Sequence, residues 1–126
     1  METVFYFKNM VAKDEDVLRS YVLQKVEKIE RLMAEHPDDA VLLEVKAERF
    51  EKHNAYDVEF ILTIPSEKFM ARETSHSITK AVDFAKSRLE TQLTKHLDIN
   101  ARKHRIVKAR GKEKRHVIAS PHFTEL

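Results

Sequence analysis

Apolar positions repeat along the chain with two periods, and these periods predict the order of its secondary structure. Alternation of apolar and polar residues, rich in aromatic and β-branched types, predicts four strands. These strands cover residues 3–8, 41–50, 56–64 and 68–73. Apolar residues spaced three and four apart predict amphipathic helices over residues 17–34 and 76–96, the second capped by Ser75. The pattern therefore predicts an α+β fold of order β-α-β-β-β-α, with a four-stranded sheet and both helices packed on one face.

Composition narrows the class of protein. The 126 residues suit one domain, and the single glycine, Gly111, excludes the glycine-rich loops that bind phosphates. Without cysteine the chain has neither disulfides nor thiolate metal ligands. No apolar run approaches the ~20 residues that cross a bilayer, and no signal peptide is visible at the N-terminus. We therefore expect a soluble cytoplasmic protein that does not contact membranes.

Charge is distributed unevenly along the chain. The formal net charge is +2, but residues 1–98 carry −4 and residues 99–126 carry +6. The eight C-terminal bases all lie between Arg102 and Arg115. We expect a folded domain over residues 1–97 and a basic, flexible tail over residues 98–126 that contacts a polyanion. A solvated tail without a partner is the alternative, as is a tail that packs back through Val117, Ile118 and Phe123.

The sequence gives only weak signals for a catalytic site or a metal site. None of the seven histidines pairs at the spacing of zinc enzymes, and the carboxylates do not cluster beside apolar residues. Ser75, His76 and Asp83 are too close in sequence to indicate a triad, because triads assemble from scattered residues. We expect neither an enzyme nor a protein that needs a metal or cofactor.

Basic residues flank the apolar stripes of both predicted helices. On the first helix Lys25 and Lys28 lie on one shoulder of the stripe and Arg31 lies further round, while Arg88 and Lys95 lie on a shoulder of the second. If the helices pack side by side, these shoulders line a shared groove that suits an RNA backbone. The alternative is that the long basic side chains only cover the edges of an apolar stripe.

Three segments resemble a known family, the ribosome hibernation factors. These segments are Arg19–Arg31, Tyr56–Pro65 and Ala81–His96, and the resemblance covers about residues 1–97. The third is the most specific, since Leu-Glu-Thr-Gln-Leu-Thr-Lys95 is similar to the family's Leu-Glu-Arg-Gln-Leu-x-Lys. The family includes ribosome-associated inhibitor A and the short hibernation promoting factors, formerly labelled sigma-factor modulation proteins. Thr91 departs from the family's arginine.

The resemblance implies a fold similar to a double-stranded-RNA-binding domain and a function without chemistry. Family members bind the small ribosomal subunit in the channel of mRNA and tRNA, compete with both, and block translation under stress or in stationary phase. A monomer is expected, because the dimerisation domain of long members is not recognised here. The rRNA-binding residues implied by the resemblance, together with the first bases of the tail, are Arg19, Lys25, Lys28, Arg31, Arg88, Lys95, Arg102, Lys103 and Arg105.

Two other functions fit the same sequence. One is an RNA-binding module that acts on structured RNA away from the ribosome. The other is a regulator that binds a protein, as the older family label suggested. Co-sedimentation with small subunits supports ribosome binding over the first, and sensitivity to RNase and salt argues against the second.

Overall fold

A computed structural model describes the backbone of residues 1–118 and the side chains of residues 1–102. The chain divides into two units, Met1–Leu93 and Thr94–Leu126. The described elements are β1 (Glu2–Lys8), α1 (Ala12–Lys25), α2 (Glu27–Leu32), β2 (Leu42–Phe50), β3 (Ala55–Ile64), β4 (Glu67–Ser75) and α3 (Ile78–Ile118). The predicted α+β class and the order of strands and helices are confirmed.

The four strands form one sheet in the order β1-β2-β3-β4. β2, β3 and β4 pair antiparallel, as the short turns between them predict, with Phe60 opposite both Val45 and Ala71. β1 pairs parallel to β2, with Glu2 opposite Leu42, because the intervening helices return the chain to the end of the sheet where β1 began. The sheet is therefore mixed, with β1 and β4 at its edges.

The core lies on one face of this sheet. Alternate strand residues such as Val45, Phe60 and Ala71 point into it, and both helical segments add their apolar stripes. The fully buried large side chains are Leu18, Val22, Ile29, Leu43, Val45, Val58, Phe60, Leu62, Val82, Leu89 and Leu93. Because α1, α2 and α3 contribute to the same cluster, all three pack on one face of the sheet, as predicted.

The first helix differs from the prediction at its start and in its middle. It begins at Ala12, so that Asp14 and Glu15 occupy its first turn, where carboxylates favour the helix N-terminus. It is then interrupted at Val26, whose ψ of −1° departs from helical geometry. The Val26 side chain is nevertheless buried, so the apolar stripe continues from α1 into α2.

The second predicted helix differs at both ends. The backbone N–H of Lys80 donates to Ser77 Oγ at 3.4 Å, so Ser77 caps α3 and the prediction of Ser75 is wrong. α3 also continues to Ile118 rather than ending near His96. This segment contains no proline, and its Lys, Arg and Ala residues favour helix. No helix in the described part of the chain has an apolar stretch long enough to cross a bilayer.

Candidate nucleic-acid interface

A partly buried hydrogen bond joins α1 to α3. The hydroxyl of Tyr21 on α1 donates a hydrogen bond to Oδ2 of Asp83 on α3, at a distance of 2.8 Å. Lys25 lies one turn further along α1, with its Nζ 5.3 Å from the centroid of the Tyr21 ring. An ammonium over an aromatic face is attracted to the ring's negative surface while it stays hydrated on its other side. Lys25 is thus positioned beside the contact between the two helices.

The Tyr21–Asp83 hydrogen bond makes stability depend on pH. Hydrogen bonding to Asp83, followed by burial, raises the pKa of Tyr21 above its ordinary value of 10.0. Because the protonated phenol is favoured in the folded state, its contribution is present below pH 10 and is lost as the pH rises through the folded pKa. Tyr21→Phe should therefore lower the free energy of unfolding at neutral pH by about 1–2 kcal/mol, measured by urea denaturation.

The same variant should also lose less stability between neutral pH and alkaline pH than the parent chain does. Tyr56 makes a similar bond to Asp14, with its pKa raised chiefly by burial, so Tyr56→Phe serves as the matched comparison. Parallel stability losses in the parent chain and in Tyr21→Phe above pH 10 would contradict this role for Tyr21.

The bases of α2 face solvent. Lys28 is exposed and makes no ion pair with the side chains that the structure describes. Arg31 Nη1 lies 3.5 Å from Glu27 Oε1, one turn earlier, and its side chain is 68% exposed. Exposed pairs of this kind contribute little to stability, so the guanidinium can exchange its carboxylate for a phosphate at small cost.

Arg19 lies on the opposite flank of α1 from Lys25. Its guanidinium carbon lies 5.7 Å and 5.3 Å from the ring centroids of Phe5 and Phe7 on β1, and Nη1 pairs with Asp16 at 3.2 Å. The side chain therefore covers the outer edge of the sheet and packs as well as carrying charge. The sequence pattern did not reveal this contact, because it depends on how α1 crosses β1.

Arg88 corrects the predicted groove between the helices. Its Nη1 lies 3.1 Å from Glu73 Oε1 and donates to the backbone carbonyl of Arg72 at 3.4 Å, both on β4. Asp83 marks the flank of α3 that faces α1, whereas Arg88 marks the flank that faces the β4 edge. Arg88 does not line a groove with Lys25, so the prediction of a shared groove is wrong for this residue. The cause is helix geometry, since Arg88 follows Asp83 by five residues and therefore lies about 140° round the helix from the flank that faces α1.

The remaining predicted residues belong to the second unit. Lys95 and Arg102 are exposed on α3. The side chains of Lys103 and Arg105 lie outside the described residues, as do the predicted tail contacts of Val117, Ile118 and Phe123. The mobility of the basic tail therefore stays a prediction.

Sequence reasoning missed an ion pair on α3. Lys86 Nζ lies 3.0 Å from Glu90 Oε2, and both side chains are largely buried, at 19% and 10% exposure. The signal was available as a Lys–Glu pair four residues apart on the predicted helix. Because the pair neutralises itself, Lys86 adds little to the positive potential of the helical side.

The other face of the sheet has no excess of positive charge. Its charged residues include Asp57, which is buried and accepts from Arg72 Nε at 2.8 Å and from Thr74 Oγ1 at 2.9 Å. This hydrogen bond raises the pKa of the Arg72 guanidinium and holds it against the sheet. The bases Lys8, Lys46, Lys68 and Arg72 are matched there by the acids Glu2, Glu44, Glu48, Asp57 and Glu59. The helical side is therefore the better candidate for contact with a polyanion.

A metal centre is not formed by the described residues. No three His, Asp or Glu side chains among them come together in the manner of a metal site. The helical side instead offers exposed ammonium and guanidinium groups on rigid elements, which can bind phosphates but do not supply an acid, a base and a nucleophile in one cleft.

Comparison with known proteins agrees with this architecture. The structure is similar to the crystal structure of the Thermus thermophilus Protein Y N-terminal domain, with a TM-score of 0.57 and 23% identity, covering 76% of this chain and 99% of that one. It is also similar to a ribosomal subunit interface protein from Coxiella burnetii, with a TM-score of 0.55 and 20% identity, covering 75% of this chain and 98% of that one. The family model described as "Sigma 54 modulation protein / S30EA ribosomal protein" matches residues 4–100. The match spans the sheet, the helices packed on it and the bases of the first unit, and the chain accordingly belongs to the sigma 54 modulation and S30EA ribosomal protein family.

Proposed function

We propose that this protein is a translation inhibitor that binds the small ribosomal subunit in the mRNA–tRNA channel and acts by occupancy in the cytoplasm, under stress or in stationary phase. The family membership supports a ribosome partner, since its description names a ribosomal protein. Similarity to a ribosomal subunit interface protein supports the same partner. The binding position within the subunit, competition with mRNA and tRNA, and contact with rRNA are the finer parts of the proposal.

The observation that carries the proposal is the placement of exposed cations along the helical side. Lys25 and Lys28 are exposed and have no carboxylate partner among the described side chains. Arg31 pairs with the exposed carboxylate of Glu27, and Arg88 pairs with the partly exposed carboxylate of Glu73. Phosphate contacts by such groups release counterions and supply much of the free energy of nucleic-acid binding. Guanidinium groups also form bidentate bonds to phosphate, which are stronger than bonds to a neutral acceptor.

The net charge of the first unit means that RNA binding depends on where its exposed cations lie. The first unit carries 14 Lys+Arg against 18 Asp+Glu, so its overall field repels a polyanion. Binding to rRNA then requires local positive sites that face the RNA, together with the second unit, which carries nine bases and three acids. We infer that the exposed cations of the helices in the first unit and the bases of the second unit each contact rRNA, and that the acidic surfaces of the first unit do not.

Sedimentation with purified ribosomal subunits tests this function. The full chain should co-sediment with small subunits and not with large ones, and log affinity should fall with log salt by about 0.7–0.9 per phosphate contact. Prior loading of mRNA and initiator tRNA should reduce both binding and inhibition of translation in vitro. Binding that is independent of salt would favour a protein-binding regulator, and binding to free structured RNA but not to subunits would favour an RNA module off the ribosome.

Glu73 is expected to oppose RNA binding through Arg88. Its carboxylate Oε1 lies 3.1 Å from Arg88 Nη1, so a phosphate that binds this guanidinium has to displace it. Glu73→Gln removes this competitor and one negative charge, so affinity for small subunits should rise about three- to tenfold. Glu51→Gln, at an exposed carboxylate in the turn between β2 and β3, changes net charge equally and is the matched control. An equal gain in both variants would mean that only net charge matters.

A further inference from the structure

β1 leaves an open row of backbone hydrogen-bonding groups at one edge of the sheet. The N–H of Glu2 donates to the carbonyl of Val41 at 3.0 Å, so the backbone of Glu2 faces β2. Because backbone groups alternate along a strand, those of Thr3, Phe5 and Phe7 face away from the sheet. Up to Arg102, no described side chain bonds to these three residues' backbone groups. This edge can therefore pair with another strand.

Two carbonyl groups on the opposite edge accept hydrogen bonds from side chains of α3. Gln92 Nε2 donates to the carbonyl of Met70 at 2.8 Å, and Arg88 Nη1 donates to the carbonyl of Arg72 at 3.4 Å. These carbonyls lie on β4 and would otherwise accept from an added strand. Natural sheets commonly protect their edges by covering or occupying such groups. The contrast leaves β1 as the edge open to pairing in the described structure.

The sequence of β1 is complementary to itself when reversed. It reads Glu2-Thr-Val-Phe-Tyr-Phe-Lys8. In an antiparallel pair of two copies centred on Phe5, Glu2 of each copy lies opposite Lys8 of the other, and Val4 lies opposite Tyr6. Opposite charges and aromatic–β-branched pairs across strands are stabilising. The charges therefore favour this register. A shift to a neighbouring register would leave Glu2 and Lys8 without oppositely charged partners across the strands.

The direction of the backbone groups fits the same register. Centring on Phe5 makes Phe5–Phe5 and Thr3–Phe7 the hydrogen-bonded pairs, and these are the residues whose N–H and C=O face outward. Each such pair exchanges two hydrogen bonds in an antiparallel ladder. The open edge of β1, the charge pairs and the direction of the backbone groups thus all favour antiparallel pairing centred on Phe5.

Apolar side chains around this edge add area to bury. Tyr6 on the open face of the sheet is 50% exposed, and Leu23 on α1 is 54% exposed. Leu23 follows Arg19 by one helical turn, and Arg19 lies over Phe5 and Phe7, so Leu23 shares the flank of α1 above β1. A two-fold axis normal to the sheet would bring the two copies of this flank together on the same side.

We propose that the free protein forms a dimer in which β1 of one copy pairs antiparallel with β1 of a second copy, giving a continuous eight-stranded sheet. This departs from the monomer expected from the sequence, and it concerns the protein away from the ribosome. The contact is small, so the dimer forms reversibly with rising concentration rather than permanently. The proposal does not rest on the proposed function.

Charge exchange across the pair tests the arrangement with the full chain. Sedimentation equilibrium should show a concentration-dependent dimer. Glu2→Lys and Lys8→Glu should each weaken it about tenfold or more, because two attractive pairs become repulsive, and the double variant should restore it. Melting temperatures establish that all variants are folded. A parent chain that stays monomeric at all concentrations, or a double variant no better than the singles, would overturn the proposal.

Disulfide trapping then measures the register, since the chain has no cysteine of its own. A mixture of Val4→Cys and Tyr6→Cys proteins under mild oxidation should form the mixed disulfide in excess over either homodimer, because the two positions lie opposite each other. Lys68→Cys, exposed on β4, is the control for random collision. Statistical proportions of the three products, or homodimers in excess, would contradict pairing centred on Phe5.

Discussion

Replacing Lys25, Lys28, Arg88 and Lys95 together by alanine is expected to weaken small-subunit binding by about 100-fold or more. Each residue is exposed, and each lost phosphate contact removes roughly 1 kcal/mol or more of binding free energy. The slope of log affinity against log salt should also become shallower by about 3, since four contacts contribute about 0.7–0.9 each. Filter binding or sedimentation across a salt series measures both quantities.

The matched control for this variant makes the same change in net charge away from the helices. Its substitutions lie on the other face of the sheet and in the turn between β2 and β3. It replaces the exposed lysines Lys8, Lys46, Lys52 and Lys68 by alanine. Because these residues lie away from the helices, the control should retain most of the affinity. Thermal stability should change little in either variant, since exposed ion pairs contribute at most about 1 kcal/mol each. Equal losses in the two variants would indicate attraction by net charge alone.

Truncation after Leu97 is expected to cause the second large loss. It changes the formal net charge from +2 to −3, because it removes eight bases and three acids. The remaining chain keeps every residue of the core cluster, so the free energy of unfolding should change little. Affinity for small subunits should fall strongly and its salt dependence should flatten, while competition with mRNA and tRNA should persist.

Two full-length variants separate the explanations of that loss. Replacing the eight bases from Arg102 to Arg115 by glutamine removes charge and keeps length, and should reproduce the truncation. Replacing Val117, Ile118 and Phe123 by serine tests whether apolar residues of this segment stabilise the domain. A large fall in melting temperature in the serine variant, together with a glutamine variant whose salt slope equals that of the parent chain, would refute the view that the segment acts as a basic contact for RNA.

The spacing of apolar residues and the residues at the turns were enough to predict most of the fold. Alternation located all four strands, because each half-buried strand of this sheet must place apolar residues on a single core face. The parallel pairing of β1 followed only from the observed topology. The start at Ala12 precedes the apolar period that begins at Val17, because the first turn of α1 is charged. The carboxylates of residues 14–16 were the sequence signal for this helix N-terminus. The continuation of α3 past His96 was missed because a basic run can be either helix or coil in sequence.

The candidate site was less predictable than the fold. Helical periodicity identified Lys25 and Arg88 as flanking residues, but the side on which each flank lies depends on tertiary contacts. Asp83 proved to face α1, whereas Arg88 faces Glu73 and the β4 edge. A single sequence does not distinguish these two flanks, because both have the same amphipathic pattern. The hydrogen bond from Tyr21 had no sequence signal at all.

The parallel pairing of β1 with β2 also bears on how the chain folds as it is made. Glu2 must find Leu42, forty residues later, whereas β2, β3 and β4 join neighbours across short turns. Closing the longer loop costs more chain entropy, so the hairpins should form first and β1 should dock last, although it is synthesised before them. Until then the segment Thr3–Phe7 is an apolar stretch without a partner. During synthesis, then, β1 waits longest of the four strands for its partner, and it depends most on rapid completion of β2, β3 and β4.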